Sequence, residues 1–214
     1  MHLVVELFFD PETEAAVRGL WAALAAEVPA LVPHPSGARP HVSIAVYEQI
    51  EVPRLLAALG AFAAEPRPME VAFGSWGAFA GAEPVVFLAP TPTRALLALH
   101  AAFHHRFAAF GPAAPYYRPG GWTPHCTLAL GFPVGLLPDL AAACNRIVRP
   151  LHGRVEAIGL VRYGPRREIA VFPLGGSSGA PPTGAATPRS RRLAAGRAAA
   201  PARRRGGSRR RRAR

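Results

Sequence analysis

Two eight-residue stretches of this chain repeat one another: Arg39-Pro-His-Val-Ser-Ile-Ala-Val46 and Thr123-Pro-His-Cys-Thr-Leu-Ala-Leu130. Aligned without gaps, they share proline, histidine, a hydroxyl residue, a branched aliphatic and alanine. Such a duplication calls for two equivalent halves that bring both copies to one place. Each copy is rich in alternating aliphatic residues and reads as a strand. Residues i and i+2 of a strand share a face, so His41 lies beside Ser43 and His125 beside Thr127. Val42, Ile44 and Val46 fall on the opposite face of the first copy, and Cys126, Leu128 and Leu130 on that of the second. Ala45 and Ala129 are expected to continue the polar face with a minimal side chain. Pro40 and Pro124 suit the start of a strand, where a missing N–H is tolerated.

The surrounding pattern supplies matching halves. Strands are expected at 3–9, 41–47, 69–73, 76–79, 85–89 and 125–130, with a closing hairpin of 155–163 and 168–174. Helices are expected at 11–27, 52–64, 93–110 and 136–147, the first capped by Asp10 and opened by Pro11. The apolar face of the third carries Leu96, Leu97, Leu99 and Phe103. The order helix then motif strand occurs twice. The fold class is therefore α+β: two pseudo-symmetric lobes, each a mostly antiparallel sheet backed by helices. A central cleft between them holds one motif strand on each wall.

Composition divides the chain sharply. Residues 175–214 hold 12 of the 25 basic residues, all arginine, and no acid; the remaining 13 basic residues balance 13 acidic ones, so residues 1–174 are formally neutral. Residues 1–174 are expected to form one domain with a buried core. The Arg/Ala/Gly/Pro-rich tail has too little apolar surface to offset its ordering entropy and is expected to be disordered. Cys126 and Cys144 read as buried thiols of a reducing compartment. Glu6 and Asp10 interrupt the apolar N-terminus, and no stretch is long enough to cross a membrane. A cytoplasmic location is expected.

The paired tetrads His41-Val-Ser-Ile44 and His125-Cys-Thr-Leu128 resemble those of the 2H phosphoesterase superfamily. The similarity is to its 2'-5' RNA ligase-like branch, which includes RNA 2',3'-cyclic phosphodiesterases. The opening Glu6-Leu-Phe-Phe-Asp-Pro-Glu-Thr-Glu14 and the segment Phe87-Leu-Ala-Pro-Thr-Pro92 also resemble this branch, and the likeness covers residues 1 to about 174. Ser43 stands where threonine is more usual; it keeps the hydroxyl and loses the methyl that restricts its rotamer. The resemblance implies attack by water on a 2',3'-cyclic phosphate, leaving a 2'-phosphomonoester, and in reverse a 2'-5' linkage made without ATP. It implies His125 as base and His41 as acid. Histidine suits both roles because its ordinary pKa of about 6.5 lies near working pH. Ser43 and Thr127 would hydrogen-bond the non-bridging phosphate oxygens. No metal or cofactor is called for, and the expected substrate is an RNA end or a small nucleotide.

Weaker candidates surround the motifs. Trp122 and Arg162 are the preferred additional substrate contacts, ahead of Arg118, Arg166, Arg167, Tyr116 and Tyr117. His100 and His104 are four apart on a helix with His105 adjoining, but no third ligand accompanies them in a zinc motif. They read as a polar helix face. His2, His34 and His152 are isolated. The arginine tail suits non-specific, salt-sensitive RNA binding. A non-catalytic RNA-binding protein that uses cleft and tail is therefore the alternative. It predicts affinity that collapses when residues 175–214 are deleted, with no turnover, whereas two titrating groups favour an enzyme.

Overall fold

The computed structural model describes residues 2–31, 38–48 and 50–175. His34 and the tail from residue 176 lie outside these. The elements are β1 (His2–Phe9), α1 (Pro11–Glu27), β2 (His41–Tyr47), α2 (Val52–Ala63), β3 (Met69–Phe79), β4 (Val85–Pro90), α3 (Arg94–Arg106), β5 (Cys126–Ala129), α4 (Leu137–Ile147), β6 (Leu151–Tyr163) and β7 (Arg167–Pro173). Local chemistry sets several of their ends. Asp10 accepts the Thr13 N–H at 2.8 Å and the Thr13 hydroxyl at 2.6 Å. The same carboxylate takes the Arg154 N–H at 2.6 Å, pinning the start of α1 to β6.

The strands form one antiparallel sheet in the order β2-β1-β6-β3-β4-β5, with β7 also paired to β6. The expected lobes are thus two wings of a continuous sheet. β6 joins them, pairing with β3 from Leu151 to Val155, with β1 from Val155 to Tyr163, and with β7 from Ala157 to Arg162. Strand twist curls the sheet until its outer strands, β2 and β5, meet. The buried Cys126 thiol on β5 hydrogen-bonds the His41 backbone on β2, and burial pushes that thiol up to about 12.

Helices back each wing from both halves of the chain. α1 packs on β5, β6 and α4, while α2 packs on β6 and β7. α3 joins α2 through Phe62 and Phe103, whose ring centroids are 5.7 Å apart. Several details differ from expectation: α3 ends at Arg106 rather than 110, and β6 starts at Leu151 rather than 155. The stretches 69–73 and 76–79 are a single strand, β3, whose register shifts between Phe73 and Ser75. Leu97 is 45% exposed, and the inner stripe of α3 is Leu96, Leu99, His100 and Phe103. These positions recur at the i, i+3, i+4, i+7 spacing of one helix face, which leaves Leu97 outside the stripe.

Candidate active site

Both motif strands carry a bulge at the same place. Val5 pairs with Ala45 but Glu6 pairs with Ser43, and Val86 pairs with Ala129 but Phe87 pairs with Thr127. Ile44 and Leu128, the fourth residue of each tetrad, are therefore the extra residues. The bulge reverses the alternation that follows it. Ala45 and Ala129 turn into the core at 0% and 2% exposure. Val46 and Leu130 take the place expected for the alanines and line the cleft with the histidines.

The cleft is a cavity of about 590 Å³. His41 and Ser43 line it from one wall and His125 and Thr127 from the other, joined by Arg39, Tyr117, Tyr163 and Arg166. Each histidine is held in the same way. His41 Nδ1 lies 2.7 Å from the Arg39 carbonyl, and His125 Nδ1 lies 2.8 Å from the Thr123 carbonyl. A carbonyl only accepts, so Nδ1 carries the proton and Nε2 is left for chemistry.

Surroundings separate the two rings. His125 stands beside Phe79 and Phe87, with centroids 4.9 and 5.5 Å away. Burial holds its pKa below the ordinary histidine value, and the neighbouring His41 adds to this, against the raising effect of the Thr123 carbonyl. His41 instead has a carboxylate partner, with Nε2 3.5 Å from Glu6 Oε1. Glu6 is fully buried, accepting from the Tyr163 hydroxyl at 2.7 Å and from Arg166 Nη2 at 3.0 Å.

The hydroxyl residues are braced from behind, each by the other half. Trp122 Nε1 donates to the Ser43 carbonyl at 2.9 Å, and Trp21 Nε1 donates to the Thr127 carbonyl at 3.0 Å. His104 Nε2 donates to the Ile44 carbonyl at 3.0 Å, and the Ala114 N–H to the Val46 carbonyl at 2.9 Å. His100 stacks on Trp122 at 3.9 Å between centroids and donates Nε2–H to the Tyr117 carbonyl at 2.9 Å. His100 and His104, expected on a polar face, thus belong to the inner support of β2.

Burial pushes His100 down to about 4, and it lowers His104 as well. The unfolded chain takes up a proton on His100 near pH 6.5 while the folded chain resists until about 4. The stabilisation from keeping this ring neutral is complete above pH 6.5 and is lost as pH falls toward 4. The melting temperature is expected to drop across that window, and His100→Gln to flatten the drop. An unchanged slope in the variant would discard this account.

The other sequence candidates are distributed unevenly. Arg162 pairs with Leu3 and so points to the face opposite Tyr163, which pairs with His2. The turn after β6 brings Arg166 into the cleft in its place. Trp122 is engaged behind Ser43 rather than lining the cavity. Tyr117 lines it, while Tyr116 is 82% exposed. Arg118 donates Nε–H to the Ala113 carbonyl at 2.6 Å and lines a separate cavity, and Arg167 is exposed. His2 contributes to the cleft, while His105 and His152 are exposed. Among the described residues, no three His, Cys, Asp or Glu side chains gather as a metal site. Sequence reasoning missed Glu6, Trp21 and Tyr163. The one signal for Glu6 was a lone acid inside the apolar run Leu3–Phe9.

Comparison with known proteins places the chain and its fold. Residues 37–167 match the sequence model of the 2'-5' RNA ligase superfamily. No curated protein sequence matches the chain significantly. Among solved structures, TT0787 of Thermus thermophilus is similar at 22% identity and a TM-score of 0.60, covering 83% of this chain and 100% of its own. E. coli LigT in its apo form is similar at 17% identity and a TM-score of 0.54, covering 81% of this chain and 96% of its own. LigT complexed with 3'-AMP gives 17% identity and a TM-score of 0.55, covering 81% of this chain and 97% of its own.

Proposed function

The chain belongs to the 2'-5' RNA ligase superfamily, and from that premise we propose that it is a metal-independent phosphodiesterase for 2',3'-cyclic phosphate RNA ends or related nucleotides. One observation carries the reading. Two histidines, each fixed through Nδ1 by a carbonyl two residues upstream, line the same cavity beside their own hydroxyl residue. The complex of LigT with 3'-AMP supports a nucleotide as the ligand class.

Opening the ring to a 2'-phosphomonoester needs a proton removed from water and another delivered to the departing 3'-oxygen. His125 suits removal, because partial burial beside Phe79 and Phe87 holds its pKa below the ordinary histidine value. His41, with Glu6 as an ion-pair partner whenever its ring is charged, suits delivery. The Ser43 and Thr127 hydroxyls donate to the non-bridging oxygens, where negative charge grows in the transition state. Arg166 and Arg39 add positive charge to the cavity lining. With a 5'-hydroxyl in place of water the same groups keep their roles: His125 takes the hydroxyl proton, the oxygen bonds to phosphorus, O3' departs with a proton from His41, and a 2'-5' linkage forms. Cleavage of that linkage back to the cyclic phosphate exchanges the roles. We place this activity in the cytoplasm, in keeping with two free buried thiols. No helix among the described residues is long and apolar enough to cross a membrane. The tail's 12 arginines are proposed to add salt-dependent RNA affinity without sequence preference.

The test offers the chain an RNA ending in a 2',3'-cyclic phosphate, with and without chelator, beside a His41→Ala, His125→Ala double variant. Chelator-resistant opening to a 2'-phosphate that vanishes in the variant is expected. No turnover, with RNA still held through the tail, would replace the enzyme with a binding protein.

A further inference from the structure

We propose that Glu6 is a positioning residue of this site: its carboxylate is the counter-ion that orients His41 as the proton donor, and Tyr163 and Arg166 fix the carboxylate. This rests on the reading of His41 as the acid. A fully buried carboxylate in an apolar strand is costly unless its oxygens are satisfied. Here Oε2 takes Arg166 Nη2 at 3.0 Å and Oε1 takes the Tyr163 hydroxyl at 2.7 Å. Oε1 is then left 3.5 Å from His41 Nε2, the nitrogen that Arg39 leaves unengaged.

The placement is informative because it opposes simple phosphate binding. A negative charge under an anion site weakens anion binding, and Arg166, shared with Glu168, offsets that charge. Arg39, paired with Glu14 and Glu168, completes the network at the cleft. The Tyr117 phenol also faces Glu6, which adds to the effect of burial in raising it. His125, by contrast, is flanked by Phe79 and Phe87. The counter-ion therefore breaks the twofold likeness of the site in the sense that one acid and one base require. In ring opening, water's oxygen bonds to phosphorus as His125 takes its proton. The phosphorus–O3' bond breaks, its electron pair stays on oxygen, and that oxygen takes the Nε2 proton of His41. His125 returns a proton to solvent, and His41 regains one beside Glu6.

The experiment follows the His41 imidazole by NMR through pH 5–8, together with turnover of a 2',3'-cyclic phosphate. Glu6→Gln keeps the shape and removes the charge. A measurable fall of the His41 midpoint is the expected sign of losing an opposite charge within a few ångströms. kcat is expected to drop about 10–100-fold, within the contribution of a positioned acid, while KM holds. Glu6→Asp restores part of both. Arg166→Gln removes the competing cation and moves the midpoint the opposite way, a sign that loosened packing does not produce. Midpoints unmoved in both Glu6→Gln and Arg166→Gln overturn the proposal. Midpoint shifts without turnover by the unaltered chain overturn the phosphodiesterase reading and leave the Glu6–His41 coupling standing.

Discussion

His41→Ala is expected to slow opening of an ordinary cyclic phosphate about 10²–10⁴-fold, and to regain most of that loss when sulfur replaces the bridging 3'-oxygen. An alkoxide leaves poorly without a proton. A thiolate, whose acid has a pKa of about 8.5, leaves well without one. Substitution at the leaving position thus removes the need for the acid and for nothing else. His125→Ala is expected to lose a similar factor on both substrates, because water still needs a base whichever atom departs. The assignment draws on the half-buried His125, whose pKa is held below the ordinary histidine value, and on the Glu6 carboxylate beside His41. Single-turnover rates on the two substrates check it. Rescue of His125→Ala instead would exchange the roles, and rescue of neither would remove His41 from the acid role.

Phe103→Ala is expected to be the most damaging single truncation outside the cleft, at about 3–5 kcal/mol for a fully buried aromatic. Phe103 is 0% exposed. It stacks on Phe107 at 4.3 Å and meets Phe62 edge-on at 5.7 Å, joining α3 to α2. It also touches the ring of His104, which donates to the Ile44 carbonyl at the bulge of β2. The vacancy therefore sits one residue behind a catalytic strand. Urea titration should show a lower midpoint at unchanged slope, with turnover falling while the protein is still folded. Full stability would mean that neighbouring rings close the cavity without cost.

Much of the frame was legible because it rests on local signals. The bounds of α1 and β2 coincide with the sequence reading, since Asp10-Pro11 marks a helix start and alternation with β-branched residues marks a strand. The two motif histidines and their hydroxyls were legible through duplication. The bulges were not, because Ile44-Ala45-Val46 reads as smooth alternation and only pairing with β1 shows one residue too many. That single offset is why Ala45 and Val46 exchange faces. Glu6, Trp21 and Tyr163 escaped for a related reason. Each acts on a partner more than 30 residues away, so spacing along the chain carries no trace of the contact. His100 and His104 misled because a histidine on a helix shows no sign of whether water or a carbonyl receives its proton.

The reciprocal bracing by Trp21 and Trp122 also bears on how such a chain can be divided. β2 and β5 are end strands, the kind of edge that otherwise recruits foreign strands. Their carbonyls are occupied instead by donors from the opposite half, Trp122, His104 and Ala114 on one side and Trp21 on the other. A fragment ending before β3 would carry the first tetrad with its outer edge bare, and the complementary fragment would carry the second in the same condition. The duplicated halves have thus given up independence. Each is the chaperone of the other's active strand, and a split version of this protein is expected to work only when both pieces are present together.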